Sequence, residues 1–356
     1  MMLLHLIGLV GLAVASCPRE QMYYAVDYYV WSQTQAQIGL LPVIHDVPYT
    51  ENRKNTSFIS GIIGHYLPLD WNATFYDSET CTAFAELIST AKNKTYTTEG
   101  PTVVGMRFQF TKMKGGYDGK GGDDDLVITR MDGVVTRTGD WLFNATNSLA
   151  YYSAERPWDT IPGPKRDSRA TLKAAADAYA DRFANTSVVV PLGTPCCRIE
   201  GGASTCTGAN ETMLNTCTKG FPDAAHPQQL RERTYVIDQE KGVVQVTMNL
   251  AGLPDSHLFR IEEGMIRAVH TMTACGDLGC RIGNETLKRD GGDPSWYRQA
   301  PLLGTLDVPW RDLLIHLFVG EIVKSMVELA IEWTYDWVTR WSREREPVPG
   351  VSLLPI

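Results

Sequence analysis

Nothing in this chain spells out a familiar catalytic or nucleotide motif. It has no GxSxG elbow, no HExxH, no P-loop and no GxGxxG opening a helix, so hydrolase, metalloprotease, nucleotide and dinucleotide readings lack their usual support. Basic runs are missing as well. Lys and Arg number 33 against 41 Asp and Glu, for a net charge of −8, which argues against nucleic acid as a partner. No paired CxxC or Cys/His spacing exists to hold structural zinc. The apolar stretch at 2–16 carries no Lys or Arg and is too short to span a bilayer comfortably. Neither a cofactor nor a metal is therefore expected.

What is present points to the secretory pathway. The 2–16 stretch ends in small residues, and Ala13-Val-Ala15 or Val14-Ala-Ser16 suits signal peptidase, so 1–16 reads as a cleaved signal peptide. Asn-X-Ser/Thr sequons stand at Asn55, Asn72, Asn93, Asn144, Asn185, Asn210 and Asn284, marking surface segments for glycosylation. All eight cysteines lie beyond the cleavage site, an even number that suggests disulfides. Proximity suggests Cys17 with Cys81, Cys275 with Cys280, and two links among Cys196, Cys197, Cys206 and Cys217.

Periodicity places a helix near Arg19–Ile38, with Met22, Val26, Tyr29 and Val30 on one face, and a second over Ser168–Ala184 capped by Asp167 or Ser168. Strands are expected at Thr102–Thr111, Leu126–Thr138 and Asp140–Tyr152, then at Arg233–Leu250 and His257–Thr273. Turn signals stand at Asp238-Gln-Glu-Lys-Gly242 and Glu262-Glu-Gly264. The order of elements repeats, which divides the chain into a first repeat at 17–155, a Pro-rich linker at 156–166 and a second repeat at 167–300. Gly115–Asp125 reads as a flexible acidic loop without EF-hand spacing. An amphipathic helix is expected over 305–345. Its acidic stripe (Glu321, Glu328, Glu332, Asp336) rules against a transmembrane span, and it would pack over the body or join two copies as a homodimer.

The segment Leu253–Thr273 reads as a hairpin in which Asp255, His257, Arg260 and His270 interleave with apolar residues. Buried charge needs a partner, so this hairpin is a natural pocket wall. His257, His270 and Glu200 are the candidate acid–base groups. Arg198, Arg260, Tyr235, Tyr49, Glu51 and Trp141 are the candidate substrate contacts, with Asn52, His65 and Tyr66 behind them. Each has a plain structural alternative: a satisfied core histidine, a fold-fixing ion pair, or an aromatic of the core.

Tyr49-Thr-Glu-Asn52, Gly139-Asp-Trp-Leu-Phe-Asn-Ala145, Ala174-Ala-Ala-Asp-Ala-Tyr179, Cys197-Arg-Ile-Glu-Gly-Gly202, Tyr235-Val-Ile-Asp238, Pro254-Asp-Ser-His-Leu-Phe-Arg260 and Val269-His-Thr271 resemble a family of secreted fungal proteins. The resemblance covers roughly 20–275. It implies an α+β fold of two NTF2/SnoaL-like cone-shaped repeats, each a curved antiparallel sheet with helices around a mostly apolar pocket, plus the C-terminal helix. Among the secreted, glycosylated proteins of fungal natural-product pathways, the chain resembles the hetero-Diels–Alderases of tropolonic sesquiterpenoid biosynthesis. That narrower likeness implies a cofactor-independent cycloaddition of a small hydrophobic metabolite, coupled to dehydration to a quinone-methide-like diene. Such folds also host isomerases, dehydratases, cyclases and plain binders. A non-catalytic secreted binding protein and a surface protein associating through the aromatic C-terminal helix are the competing expectations.

Overall fold

The structure is a computed structural model that describes residues 17–91, 100–114, 125–206, 214–222, 227–276 and 280. These all fall in the first of two units, Met1–Ala300. The helix expected over 305–345 lies outside the described residues, as do Asn93, Asn210, Asn284 and most of the acidic loop.

The chain opens with α1 (Arg19–Gln33). Strands β1 (Tyr49–Glu51), β2 (Lys54–Asn55), β3 (Trp71–Asp77), β4 (Thr82–Ser89), β5 (Thr102–Met113) and β6 (Asp125–Arg137) follow. Two helices come next, α2 (Ala145–Ala154) and α3 (Arg169–Arg182). A second set of strands completes the fold: β7 (Leu192–Glu200), β8 (Ala203–Ser204), β9 (Leu230–Asp238), β10 (Val243–Leu250), β11 (Leu253–Glu262) and β12 (Met265–Thr273). Two six-stranded sheets result, ordered β2-β1-β6-β5-β4-β3 and β8-β7-β12-β11-β10-β9. Strand order is the same in both, and in each only one neighbouring pair, β1 with β6 and β7 with β12, runs parallel.

Strand alternation builds three layers of core. On β4, Ala83, Ala85 and Leu87 face α1 and its Met22, Val26 and Tyr29. Phe84 and Ile88 of the same strand face the other sheet. In the second half, Val244, Val246 and Met248 of β10 join Leu172, Ala176 and Tyr179 of α3. The middle layer lies between the sheets and combines Phe75, Phe84, Val103 and Val134 with Val236, Val243, Leu258 and Met272. Each such fully buried side chain contributes about 1.5–3 kcal/mol.

Local chemistry explains the ends of the elements. Ser168, rather than Asp167, caps α3 by accepting from the Thr171 N–H. Asp167 instead accepts from the Gly264 N–H at 2.9 Å. The β11–β12 hairpin closes through Glu263 and Gly264 at φ 56° and 70°, the double left-handed geometry of a two-residue hairpin loop, for which glycine is well suited.

The cone-shaped NTF2/SnoaL-like expectation is corrected. Strand dominates, with two six-stranded sheets and three α-helices among the described residues. Each sheet carries one helix on its outer face, and its other face is closed by the second sheet together with α2. Two strands, β3 and β4, form ahead of the first strand expected from the sequence, at Thr102–Thr111. Asp140–Tyr152, expected as a strand, instead contains α2, because the Asn144 side chain caps it by accepting from the Asn147 N–H. Asn144 is half-buried for that reason, whereas the sequon residues Asn55, Asn72 and Asn185 are exposed.

Four disulfides join Cys17–Cys81, Cys196–Cys217, Cys197–Cys206 and Cys275–Cys280. They indicate folding in an oxidising compartment. Cys17–Cys81 closes the longest loop, 64 residues apart in sequence, and ties the start of α1 to the β3–β4 turn. Among the described residues no helix is long and apolar enough to cross a membrane.

Candidate functional site

The alternation that builds the core also divides the residues singled out in the sequence. On β12, His270 pairs across the sheet with Leu258, whereas His257 on β11 pairs with Thr271. The two histidines therefore point to opposite faces. His270 faces the other sheet and His257 faces α3.

On the α3 face, His257 lies 2.9 Å from Asp255 among Tyr179, Phe183 and Phe259. Buried Arg198 donates to the Tyr179 hydroxyl at 3.1 Å and lies 3.2 Å from Glu200. Glu200 in turn accepts from the Trp141 indole N–H at 2.6 Å. Tyr235 donates to Asp177 of α3 at 2.6 Å. In the first half, Tyr49 donates to Glu51, which also accepts from the Ile62 N–H. Burial first, then the Glu51 charge, pushes the Tyr49 hydroxyl far above its ordinary pKa. Arg198 and Tyr235 thus brace the second sheet against α3, whereas Glu51 and Glu200 tie their strands to neighbouring loops.

The inter-sheet face is different. Here the segment that follows α2 crosses the second sheet, and two cavities of about 550 and 570 Å³ both have Glu155, Arg156 and Trp158 in their walls. Trp71 and Phe75 of β3, Tyr152, Lys241, Leu258 and His270 also line the second. Arg260 lines the other, and its guanidinium is held by Glu262 at 2.9 Å and by the carbonyls of Asp159 and Lys241.

His270 lies between two carboxylates. Its Nδ1 is 2.9 Å from Glu86 Oε2 and its Nε2 is 2.9 Å from Glu155 Oε2. Both partners accept, so the ring donates twice and is an imidazolium. The Tyr152 ring stacks on it at 3.7 Å between centroids, and Trp158 lies at 4.8 Å, a favourable setting for a cation. Burial alone would lower the ring's pKa, but the charges of Glu155 and Glu86 and their hydrogen bonds outweigh it and push it up to about 10. Glu86 is buried in the middle of β4, where its Oε1 accepts from the Tyr152 hydroxyl at 3.4 Å. Glu155 is 18 % exposed, and its Oε1 is buried without a hydrogen-bond partner. The result is a carboxylate beside a cavity, oriented on one oxygen by an imidazolium and with the other oxygen unsatisfied. Its two carboxylates sit on opposite ring nitrogens, so the three groups do not converge on a common metal position.

Stability should report this arrangement. A folded-state pKa near 10 stands above the ordinary histidine value of 6.5. The imidazolium's contribution is thus complete below about pH 6.5 and is lost as pH rises through about 10. The melting temperature is expected to fall more steeply between pH 7 and 10 in the native protein than in His270→Gln. Parallel slopes in the two proteins would contradict the assignment.

The sequence pointed to His270 and Arg260 on this face but not to Glu86, Glu155, Tyr152, Trp71 or Trp158. Glu86 did leave a signal: a single charge inside the otherwise apolar and hydroxyl-bearing run Thr82–Ser89 requires a buried partner. Tyr152 left none, because it lies in a segment expected as strand, and Glu155 falls beyond the end of that segment.

A sheet-on-sheet protein with a helix on each outer face and an acid–imidazolium–acid cluster between the sheets is therefore the class that the fold and site define. A family model described as "Domain of unknown function (DUF8021)" matches residues 165–273. That stretch runs from just before α3 through β12, and it contains His270 but none of its partners. No curated protein matches the chain.

Proposed function

We propose that this is a cofactor-independent lyase or isomerase of the secretory pathway, acting on a small, largely apolar, oxygen-bearing molecule in the cavity walled by Trp71, Tyr152 and Trp158. The observation that carries this reading is Glu155. One oxygen is held by His270, and the other is buried without a partner in a residue that lines the cavity. A carboxylate so placed can take a proton from a bound molecule and return it elsewhere on the same molecule, while the aromatic walls orient the reacting atoms and exclude water. In the dehydrative hetero-Diels–Alder reaction, Glu155 would accept the proton of a ring hydroxyl and pass it to a departing hydroxyl. Water leaves, a quinone-methide-like diene remains, and the carboxylate is restored before the cycloaddition. Incubation with hydroxymethyl tropolone and terpene alkene precursors, followed by chiral chromatography, tests this. A product yield and stereochemistry equal to the enzyme-free control would overturn it for that reaction.

A secreted carrier for the same kind of molecule is the second reading. It is favoured by the engagement of both His270 nitrogens, which leaves the ring no free position for chemistry. Calorimetry that found tight binding with the ligand recovered unchanged would select it.

A further inference from the structure

The cavity that His270 lines contains four charged groups, and three are already engaged. Glu155 and His270 hold each other. Arg156 donates to Glu262. The fourth, Lys241, is different: among the described residues its ammonium makes no hydrogen bond and no ion pair, and it lies 5.9 Å from the centre of the Phe75 ring. Its backbone is firmly placed in the β9–β10 turn. The Lys241 N–H donates to Asp238 Oδ1 at 3.2 Å, and its carbonyl accepts from Arg260. The adjacent carboxylate, Glu240, is turned toward Arg19 and Arg166 at 3.4 and 3.6 Å and does not neutralise it.

From this juxtaposition of an unpaired, half-buried cation with Trp71, Phe75 and Trp158 in one cavity we infer that the ligand is a flat unsaturated or aromatic molecule carrying an anionic oxygen, with Lys241 as the residue that selects it. The ring lies against the aromatic walls, and the carboxylate, sulfonate or ionised enol accepts from the ammonium. A neutral molecule of the same shape would leave the ammonium's donors unused, and a cationic one would be repelled by it. Lys241 is a positioning residue here, since its ammonium holds the anion while Glu155 faces the proton to be moved. This inference rests on the reading of the cavity as a ligand site.

Two fluorescent naphthalenes separate the questions: 8-anilino-1-naphthalenesulfonate, an anion, and N-phenyl-1-naphthylamine, its uncharged counterpart. The full disulfide-bonded protein is expected to bind the anion roughly tenfold more tightly than the neutral probe, the scale of one hydrogen bond to a charged group. Lys241→Met should remove that preference while leaving the neutral probe's affinity unchanged, and Lys241→Arg should restore it. Trp158→Leu should weaken both probes. An anion preference that persists in Lys241→Met overturns the role of Lys241 and leaves the cavity reading standing. Failure of both probes to bind, or binding indifferent to Trp158→Leu, overturns the cavity reading itself.

Discussion

Replacing Asp238 with alanine is expected to destabilise the fold by about 3–5 kcal/mol, the cost of orphaning one side of a buried ion pair, and Asp77→Ala should cost as much. The two residues form a reciprocal clamp between the sheets. Arg19, the first residue of α1, reaches across to Asp238 with hydrogen bonds of 3.0 and 2.7 Å. Arg169, the first residue of α3, reaches in the opposite direction to Asp77 with bonds of 2.7 and 2.6 Å. Each carboxylate also accepts a backbone N–H from the other sheet, Tyr76 to Asp238 and Ile237 to Asp77, both at 3.0 Å. Both carboxylates are buried, so removing either leaves a backbone amide without its acceptor and takes from a guanidinium its two shortest bonds, with Glu240 at 3.4 Å or Glu79 at 3.6 Å as the carboxylate that remains. Arg19→Met should cost a similar amount, because it leaves the fully buried Asp238 carboxylate without its cation, whereas the guanidinium that Asp238→Ala leaves behind is 27 % exposed and partly hydrated. Denaturant midpoints measure these losses. A loss below about 1 kcal/mol for either alanine variant would place the clamp with ordinary surface pairs.

How far the sequence revealed this architecture depended on whether local pattern or distant contact decides each element. The β11–β12 hairpin was legible, because Glu262-Glu-Gly264 marks its turn and polar–apolar alternation marks its arms. The helices α1 and α3 were legible from apolar spacing. β4 was not, since two of its eight residues are alanine, a weak strand former, and its burial on both faces leaves no alternation to see. α2 was misread because Trp141, Phe143, Tyr151 and Tyr152 suggest a strand, while the deciding cap at Asn144 is a single residue. The candidate site was legible only in part for the same reason. His270 and Arg260 sit on a legible hairpin, but Glu86 is 184 residues away from His270 in the chain, and only sheet-on-sheet packing brings them together. The repeat also conceals a difference. Counting from the equivalent pairs Asp77↔Thr82 and Asp238↔Val243, the position that holds His270 in the second sheet holds Asp132 in the first. There it is 3.5 Å from Arg107. The imidazole is thus supplied by one half alone, while both of its carboxylates come from the other.

Glu155→Gln should lower turnover by about 10²–10⁴-fold, the usual contribution of a positioned proton-transfer group, while the fold survives. Glutamine has the same shape, and its carbonyl oxygen can still accept from His270 Nε2, so the hydrogen bond persists although the charge does not. His270 keeps Glu86 at 2.9 Å on its other nitrogen and remains stacked on Tyr152. Its pKa should fall, because Glu155 is the larger of its two charge partners, and the alkaline decline in stability should move to lower pH with it. Rate and stability therefore respond differently to this one substitution. A purely structural cluster would show the pH displacement alone, whereas a proton-transferring Glu155 shows it together with the loss of turnover at unchanged probe affinity. Product formed by Glu155→Gln at the native rate would remove Glu155 from the chemistry and leave the carrier reading as the better account of the cavity.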